Sequence, residues 1–575
     1  MPRRKPSFQN RIRTVAYITI LLFGVLVGRL YYLQIIQHEH YTLLSNKNRI
    51  RVRPIIPGRG QILASDGTPL AFTKVKYRLM GDSSVKKNLI ADIKAFLSDV
   101  QYRNSMQASL LEKAKKTSPI GNIVIKDEMT WDQVNSCLCL LNRYKSFYVE
   151  PCYYRAYPLK EAACHVVGYL SSASDSITLP SEYKCGKTGI EQYFNTELSG
   201  EFGMKKMEVN AFNAPLRDLC DYEAEGGKNI ETTIDVGLQN FVFDLLSEYK
   251  AASCVVMNIR NGHILAMVSV PGYDPNRLTS DKKYWRLMAG SPVNSLINRS
   301  IAGLYPPGST FKPIVALAAL KAGVIDKNTK FFCPGHMQLG NRTFHCWKRR
   351  GHGYLNLEQA LAFSCDVFFY NLGLRLKPSD ITEMAETFGI GIKTKVNVPY
   401  EQPGRLTLKQ GIAAQKILTA IGQGAIISTP IRLCVMAAQL ANGGYAVYPT
   451  LEKNRTSSRQ SLGISSEHIN LVKRGMFLVC NMPGASAYAQ GHSIQYPMAG
   501  KTGTAQVVSL SNKRGHLWRY KDHGLFIAYV PAEQPEYAIA VVVEHGVSGA
   551  SSCVPVVRKV FDYISRNEKP RLPKC

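Results

Sequence analysis

The longest apolar stretch of the chain lies at its N-terminal end and predicts a membrane-spanning helix. The first 13 residues hold five basic and no acidic side chains, and residues 14–37 are uncharged except for Arg29. As a helix, residues 15–36 would be about 33 Å long, which is enough to cross a bilayer. Because basic residues precede this segment, we expect residues 1–14 to stay in the cytoplasm and the rest to be exported. A cleaved signal peptide is the alternative, but no A-x-A-like site closes the apolar run.

Four apolar runs near the start and the end of the remaining chain predict the strands of one sheet. Cys254–Asn258 and Ile264–Val270 flank Arg260-Asn261-Gly262-His263, a sequence typical of a hairpin turn. Phe526–Val530 and Tyr537–Glu544 have the same apolar character. We therefore predict an α+β fold whose central antiparallel sheet combines early and late strands. Two further segments are expected to flank the sheet as helices: Pro313–Ala322 and Glu358–Leu372.

Between the anchor and this sheet, residues 37–230 mix strand-like and helix-like segments and contain no motif that carries chemistry. We interpret them as an elongated, non-catalytic pedestal of mixed α/β structure. Residues 231–575 then form the catalytic domain. Glu225-Gly226-Gly227-Lys228 suits a hinge between the two.

Charge and cysteine content narrow the class of protein. The chain has 71 basic and 42 acidic residues, which gives a net charge of +29. Basic residues are scattered rather than gathered in one stripe, and no nucleic-acid-binding motif is present, so we expect no nucleic acid partner. We interpret the positive charge as that of an exported protein that works beside anionic lipids and an anionic wall polymer. Fourteen cysteines do not require a disulfide framework, because 575 residues have room for large cores.

Three short motifs carry the candidate chemistry. Ser309-Thr310-Phe311-Lys312, Ser364-Cys365-Asp366 and Lys501-Thr502-Gly503 follow the order S-x-x-K, S-x-[N/D], K-T-G of acyl-serine enzymes. A serine is a poor nucleophile until a base takes its proton, and Lys312 lies one helical turn from Ser309. Lys312 can act as this base only in its neutral form, which burial and the nearby charge of Lys501 would favour.

The other motif residues have complementary predicted roles. Ser364 would relay protons between Lys312 and the leaving amine. Lys501 and the hydroxyls of Thr502 and Thr504 would hold a substrate carboxylate. The full predicted catalytic set is Ser309, Lys312, Ser364, Asp366, Lys501, Thr502, Gly503 and Thr504.

The S-x-x-K string alone is a weak signal, because it also begins at Ser83, Ser84, Ser181, Ser247 and Ser280. A second K-T-G occupies residues 187–189, but it lies six residues after residue 181 and leaves no room for a domain between them. The set beginning at Ser309 is preferred because Tyr305-Pro306-Pro307-Gly308 suits a turn that leads into a helix.

The sequence around the motifs resembles the class B penicillin-binding proteins, and within them the elongation-type group of penicillin-binding protein 2. The catalytic half carries the resemblance in Asn298-Arg299-Ser300, Gly303–Lys312, Trp347, Gly351-His352-Gly353, Ser364–Tyr370, Ile421–Gly424, Ala441–Gly444 and Gly500–Ala505. The N-terminal half carries it in Arg59–Leu63, Asp66-Gly67, Gly189-Ile190-Glu191 and Leu198-Ser199-Gly200. One departure is Ala64-Ser65-Asp66-Gly67, where the family usually has Asp-Arg-Asn-Gly.

This resemblance implies a peptidoglycan D,D-transpeptidase with a dimerisation-type pedestal, single-pass in the bacterial inner membrane with its catalytic domain in the periplasm. It implies that Ser309 attacks the D-Ala-D-Ala carbonyl of a stem peptide, that no cofactor is required for this step, and that β-lactams acylate the same serine. The implied partners are a membrane glycosyltransferase of the shape-elongation-division-sporulation family and other proteins of the elongation complex. A membrane-anchored β-lactamase or a β-lactam sensor of the same fold is the alternative.

A second cluster of reactive side chains lies between the first two motifs. Cys333, Cys346, His352 and Cys365 fall within 33 residues and form a Cys3His set, which suits a structural Zn²⁺. His336 and His345 are competing ligands. A Cys333–Cys346 disulfide is the leading alternative, because an exported domain meets oxidising conditions.

Overall fold

The computed structural model describes residues 8–81, 91–93, 95, 123–135, 147–172, 183–209, 215–408, 413–455, 460–507 and 518–567. The chain forms two compact units that interleave along the sequence. The smaller unit contains residues 1–58, 75–152 and 200–226, and the larger contains residues 59–74, 153–199 and 227–575. The segment interpreted as the pedestal thus contributes to both units, and its limits at residues 37 and 230 stay a prediction.

The smaller unit begins with the apolar helix. Helix Phe8–Tyr31 continues through a π-helical turn, Tyr32–Ile36, and is followed by helix His38–Arg49. None of the side chains in residues 8–36 is buried, and this described helix is long and apolar enough to cross a membrane. The guanidinium of Arg29 lies 5.4 Å from the centre of the Tyr32 ring, which gives this charge a cation–π partner.

Two groups of paired strands follow. Strands Ile50–Ile55, Gly203–Val209 and Pro215–Tyr222 form a three-stranded sheet, with Gly203–Val209 in the middle. Strand Pro69–Gly81 starts in the larger unit, and its last residues pair with Ile123–Met129. It also pairs with strand Phe147–Ala156.

A five-stranded antiparallel sheet forms the centre of the larger unit. Its strands are β1 (Ala252–Asn258), β2 (Ile264–Val270), β3 (Ala499–Ala505), β4 (His523–Val530) and β5 (Tyr537–Val543). They are arranged in the order β2-β1-β5-β4-β3, so β3 lies at one edge. Strand β5 is buried along its whole length because both faces of the sheet are covered, and its side chains alternate between two separate apolar clusters.

Helices surround this sheet. The three that carry or approach the motifs are α1 (Lys312–Lys321), α2 (Leu357–Ala362) and α3 (Asp366–Arg375). The other helices of the larger unit are Cys164–Val167, Gly189–Tyr193, Asn195–Ser199, Val236–Leu246, Pro275–Leu278, Lys282–Ala289, Arg299–Ala302, Pro378–Thr387, Ala413–Ala420, Pro430–Ala441, Ser466–Asn481, Tyr488–Gly491, Gly549–Ser552 and Val554–Asn567, and its short strands are Ile62–Leu63, Leu170–Ser172, Lys184–Gly186, Ile230–Glu231, Phe331–Cys333, His336–Leu339, Arg342–His345, Gly353–Leu355, Arg405–Leu406 and Ile426–Ile427.

The predicted α+β class, the hairpin and the late strands are confirmed, but the single helix predicted over Glu358–Leu372 is wrong. The chain leaves helix α2 after Ala362 and enters α3 at Asp366. Between them Ser364 adopts φ +53°, in the left-handed region, and Cys365 is extended. A non-glycine residue in that region is uncommon and stops a right-handed helix. The break places Ser364 at the corner between two helices.

A buried ionic cluster organises the N-terminal segments of the larger unit. Both oxygens of the fully buried Glu191 carboxylate are paired, with Arg59 Nε at 2.7 Å and Arg155 Nε at 2.6 Å. The two guanidinium groups also donate to nearby carbonyls, including Gly60 O at 2.8 Å. Removing one partner from such a cluster leaves uncompensated charge in the interior, which is strongly destabilising.

We therefore expect Glu191→Gln to lower the unfolding free energy by about 3–5 kcal/mol, since two buried guanidinium groups lose their carboxylate. The midpoint of thermal unfolding, followed by circular dichroism, measures the effect. Asp218→Asn is the matched control, because it removes an exposed ion pair with Lys205, and exposed pairs contribute about 0–1 kcal/mol. Equal midpoints for the two variants would contradict the prediction.

Candidate active site

The predicted nucleophile lies on a tight turn that leads into helix α1. Residues Gly308–Phe311 form a 3₁₀ turn, and α1 starts directly after it at Lys312. In a 3₁₀ turn, side chains three residues apart lie on the same side, so Ser309 and Lys312 share a face. Gly308 has φ +54°, and a Cβ there would lie 2.6 Å from Thr504 O. The glycine therefore lets the turn lie directly against strand β3.

Lys312 is fully buried and is held by the second motif. Its Nζ donates to Asp366 Oδ1 at 2.8 Å, to Ser364 O at 2.9 Å and to Ser364 Oγ at 3.4 Å. The ammonium also lies 5.2 Å from the centre of the Phe369 ring. Within the described residues Lys312 Nζ forms no hydrogen bond with Ser309 Oγ, so the two groups have to approach each other when substrate binds if a proton is to pass directly between them.

Lys501 reaches the same point from the opposite wall. Its side chain is fully buried, and its Nζ donates to Ser364 Oγ at 2.9 Å and to Thr502 O at 3.2 Å. Burial lowers the pKa of Lys501 well below its ordinary value, the charge of Lys312 lowers it further, and Asp366 acts in the opposite direction. Among the described residues, Lys501 thus has no carboxylate within hydrogen-bond distance, whereas Lys312 is paired with Asp366.

The carboxylate of Asp366 joins the second motif to a loop that precedes it. Its Oδ1 accepts from Lys312, and its Oδ2 accepts from the backbone N–H of Trp347 at 3.1 Å. The indole Nε1 of Trp347 donates to Phe363 O at 2.9 Å, although the side chain remains 58% exposed. Both polar groups of Trp347 therefore fasten its loop to the residues around Ser364.

The third motif lies at the edge of the sheet. A Cβ at Gly503 would lie 2.8 Å from Thr310 Cγ2 and 2.9 Å from Pro307 O, so glycine is required where β3 approaches the nucleophile turn. Thr502 Oγ1 donates to Ser486 Oγ at 3.0 Å, and Thr504 is half-buried. All eight predicted catalytic residues thus lie on three elements that meet: the turn before α1, the corner between α2 and α3, and β3.

The predicted metal-ligating residues also come together. The ligand atoms of Cys333, Cys346, His352 and Cys365 all lie within 4.8 Å of one another. The Sγ atoms of Cys333 and Cys346 are each 3.6 Å from His352 Nδ1, and both cysteines are free. A hydrogen bond from the Cys365 thiol, with a further one from His352, lowers the pKa of Cys346 to about 3. His336 and His345 instead face each other across a two-stranded hairpin.

Sequence reasoning missed the groups that support the motifs. Trp347 was noted only as part of the resemblance, yet its backbone N–H holds Asp366. Ser486, which bonds Thr502, lies in a loop without any motif, and Gln423 donates to Thr504 O at 3.4 Å. Of the alternative serines, Ser83, Ser84 and Ser181 lie outside the described residues.

Comparison with known proteins agrees with this geometry. A sequence profile described as the penicillin binding protein transpeptidase domain matches residues 252–562, and one described as the penicillin-binding protein dimerisation domain matches residues 54–232. The chain belongs to the penicillin-binding protein transpeptidases. The Escherichia coli K12 protein called peptidoglycan D,D-transpeptidase MrdA is 32% identical to this penicillin-binding protein over 96% of the chain and 93% of the relative. Stage V sporulation protein D of Bacillus subtilis is 28% identical over 96% and 85%.

Solved structures of penicillin-binding protein 2 have the same architecture. The Helicobacter pylori protein in its complex with MreC superimposes with a TM-score of 0.80 at 27% identity, covering 90% of this chain and 99% of that chain. The Pseudomonas aeruginosa protein in complex with WCK 5153 gives a TM-score of 0.68 at 28% identity, covering 90% and 97%. The predicted assignment to the group of penicillin-binding protein 2 is confirmed.

The electrostatics of this penicillin-binding protein predict a pH effect. Asp366→Asn removes the carboxylate that opposes the lowering of the Lys501 pKa, so this pKa should fall further. The limb of the pH–rate profile that reports Lys501 should therefore move to lower pH. The measurement is the rate constant for labelling by a fluorescent penicillin between pH 5 and 10, with Asp218→Asn as control. A limb that stays in place or moves to higher pH would be incompatible with this account.

Proposed function

We propose that the protein is a serine peptidoglycan D,D-transpeptidase that cross-links stem peptides through an acyl-Ser309 intermediate during cell elongation. The observation that carries the proposal is the convergence of two buried lysines on Ser364 Oγ, at 3.4 Å from Lys312 and 2.9 Å from Lys501, beside the turn that bears Ser309. Such a hydrogen-bonded chain can move protons to and from a serine nucleophile.

In the acylation half-reaction, Ser309 Oγ attacks the carbonyl carbon of the penultimate D-alanine. Its proton passes to the Lys312–Ser364–Lys501 chain, in which burial and the charge of Lys312 lower the pKa of Lys501 and so favour a neutral amine there. The C–N bond to the terminal D-alanine then breaks, and its nitrogen takes a proton through Ser364. Thr502 and Thr504, with Lys501, hold the terminal carboxylate of the substrate.

In the transfer half-reaction, an amine of a neighbouring strand attacks the acyl carbon and gives up a proton through Ser364. The C–O bond to Ser309 breaks, and Ser309 Oγ takes a proton back from the Lys312–Ser364–Lys501 chain.

The two alternatives are disfavoured. A β-lactamase needs a base for water, but both oxygens of Asp366 are already bonded to Lys312 and Trp347. A β-lactam sensor of this fold usually carries several membrane spans, whereas the described residues contain one helix that is long and apolar enough to cross a membrane.

The cellular setting is proposed on the same grounds. The helix over residues 8–36 acts as a single uncleaved anchor in the inner membrane, with the basic tail inside and the catalytic domain in the periplasm. The structure of the Helicobacter pylori relative is of its complex with MreC, and a protein similar to MreC is a partner proposed for this chain too. Strand polymerisation comes from a membrane glycosyltransferase of the shape-elongation-division-sporulation family.

The cysteine–histidine cluster (Cys333, Cys346, His352 and Cys365) fits a structural zinc ion. In a tetrahedral Cys3His site with Zn–S near 2.3 Å and Zn–N near 2.0–2.1 Å, the ligand atoms lie about 3.5–3.8 Å apart. The observed 3.6 Å from His352 Nδ1 to two of the sulfurs matches this spacing. Zinc would supply cross-linking rather than chemistry, and Cys365 would tie it to the second motif.

The identity of the nucleophile can be tested by substitution. Ser309→Ala should abolish covalent labelling by a fluorescent penicillin, because the acyl bond forms on its Oγ. Gel fluorescence and peptide mass spectrometry measure the label and its position. Ser280→Ala is the matched control, since it also begins an S-x-x-K string. Label on a peptide containing Ser280 would contradict the choice of Ser309 as nucleophile. Loss of the adduct within seconds would instead indicate a β-lactamase.

The proposed zinc ion can be tested by metal analysis. Purified protein should contain one zinc per chain, and Cys365→Ser should lower both zinc content and the rate of acylation by penicillin, because the same residue belongs to the cluster and the second motif. Elemental mass spectrometry measures the zinc content. Labelling reactions quenched at successive times measure the rate of acylation by penicillin. Cys434→Ser, another buried free cysteine outside the cluster, is the control. A zinc-free protein with an oxidised Cys333–Cys346 pair would end the zinc proposal.

A further inference from the structure

A short cationic turn lies next to the active site and has no role in the chemistry described so far. Lys348, Arg349 and Arg350 are consecutive and exposed. Within the described part of the chain, none of the three side chains forms a hydrogen bond or an ion pair with the protein. Exposed arginines elsewhere in the larger unit, such as Arg474 and Arg260, do have carboxylate partners.

The backbone of this cationic turn is fixed, although its side chains are free. The Gly351 N–H donates to Lys348 O at 3.0 Å and closes the turn. A Cβ at Gly335 would lie 2.0 Å from Arg349 O, so the turn packs directly on the neighbouring backbone. Cys346 and His352, two members of the cysteine–histidine cluster, bracket it in sequence. Three cations are therefore presented from a rigid base, which lowers the entropy lost when they bind a ligand.

The turn starts one residue after a group that contacts the second motif. Trp347 donates its backbone N–H to Asp366 Oδ2 at 3.1 Å, and Asp366 holds Lys312. Consecutive Cα atoms are about 3.8 Å apart, so Lys348 begins within a few ångströms of the active-site wall formed by the second motif. Long basic side chains reach further than this distance, so the field of the three cations covers that side of the site.

The chemistry of transfer decides which substrate passes this wall. Ser364 donates a proton to the leaving amine in the first half-reaction. By microscopic reversibility, the incoming amine loses its proton to the same group and approaches from the position that the leaving amine vacated. The acceptor strand therefore enters beside Ser364 and Asp366. The terminal carboxylate of the donor leaves with D-alanine, so β3 is free to hold one carboxylate of the acceptor, and the other carboxylates of the acceptor need a partner elsewhere.

We propose that Lys348, Arg349 and Arg350 form a subsite for the carboxylates of the acceptor stem peptide. This inference rests on the proposed transpeptidase function and adds the chemical class of its second substrate: a peptide that carries one free amine and additional free carboxylates. Two guanidinium groups and one ammonium suit such a ligand, because arginine binds carboxylates in a bidentate way and exposed cations attract anions over about 8–10 Å.

The test uses the full chain in detergent, an acyl donor in which the carbonyl of D-alanine forms a thioester, and two synthetic acceptors. One acceptor is a stem peptide with free carboxylates, and the other is the same peptide with carboxamides. In Lys348→Glu/Arg349→Glu/Arg350→Glu, kcat/KM for the carboxylate acceptor should fall about tenfold or more, as expected for three lost charge pairs. The value for the carboxamide acceptor and the rate of penicillin acylation should change by less than about twofold.

The control is Lys282→Glu/Lys283→Glu/Arg286→Glu, which makes the same charge change on helix Lys282–Ala289 beside another exposed tryptophan, Trp285. It should leave both acceptors unaffected. An equal loss with both acceptors, no loss with either, or an effect seen only in binding to vesicles containing phosphatidylglycerol would overturn the subsite. Absence of acylation in the unaltered protein would overturn both this inference and the proposed function, and is separately visible in the penicillin assay.

Discussion

Two lysines share one carboxylate in the interior of this protein, and the rest of the larger unit serves to keep them there. Lys312 and Lys501 are both fully buried, and Asp366 bonds the first of them directly. Taking ammonium groups out of water is costly unless they are paired or neutral. Ser364 Oγ accepts a hydrogen bond from each amine, which reduces this cost, while burial favours the neutral form of Lys501. A site of this kind is reactive because its charges are not fully balanced.

The parts of the fold with strong local signals could be predicted from the sequence. The four apolar runs have the length and composition of buried strands, and the order of the three motifs fixes which residues meet. The break at Ser364 was not predicted, although Ser364, Cys365 and Asp366 are weak helix formers, because such residues also occur inside helices and the left-handed conformation at Ser364 depends on tertiary contacts. Likewise, Thr502 bonds Ser486 through a loop whose sequence has no marker.

The cysteine–histidine cluster was predictable in membership but not in its consequence. The residue types and their closeness in the sequence indicated the four members of the cluster. The backbone hydrogen bonds around the cluster could not be predicted, because they do not depend on residue type. Through them Trp347, which directly follows Cys346, holds the second oxygen of Asp366. Cys365 lies between Ser364 and Asp366. The cysteine–histidine cluster and the proton-carrying residues are therefore joined through the same short segments of chain. The strained backbone of Ser364 is held in place by neighbours on both sides.

The strand order also constrains how the molecule folds. Strand β5 lies between β1 and β4, and it pairs Tyr537 with Asn258 across about 280 residues of chain. Strand β3, which carries Lys501, joins the sheet only through β4. Pairings of such long range form slowly and late, because a large loop must close first. During synthesis, Ser309 therefore emerges well before Lys501 and the strand that carries it, so the two halves of the site meet only after most of the larger unit has been made.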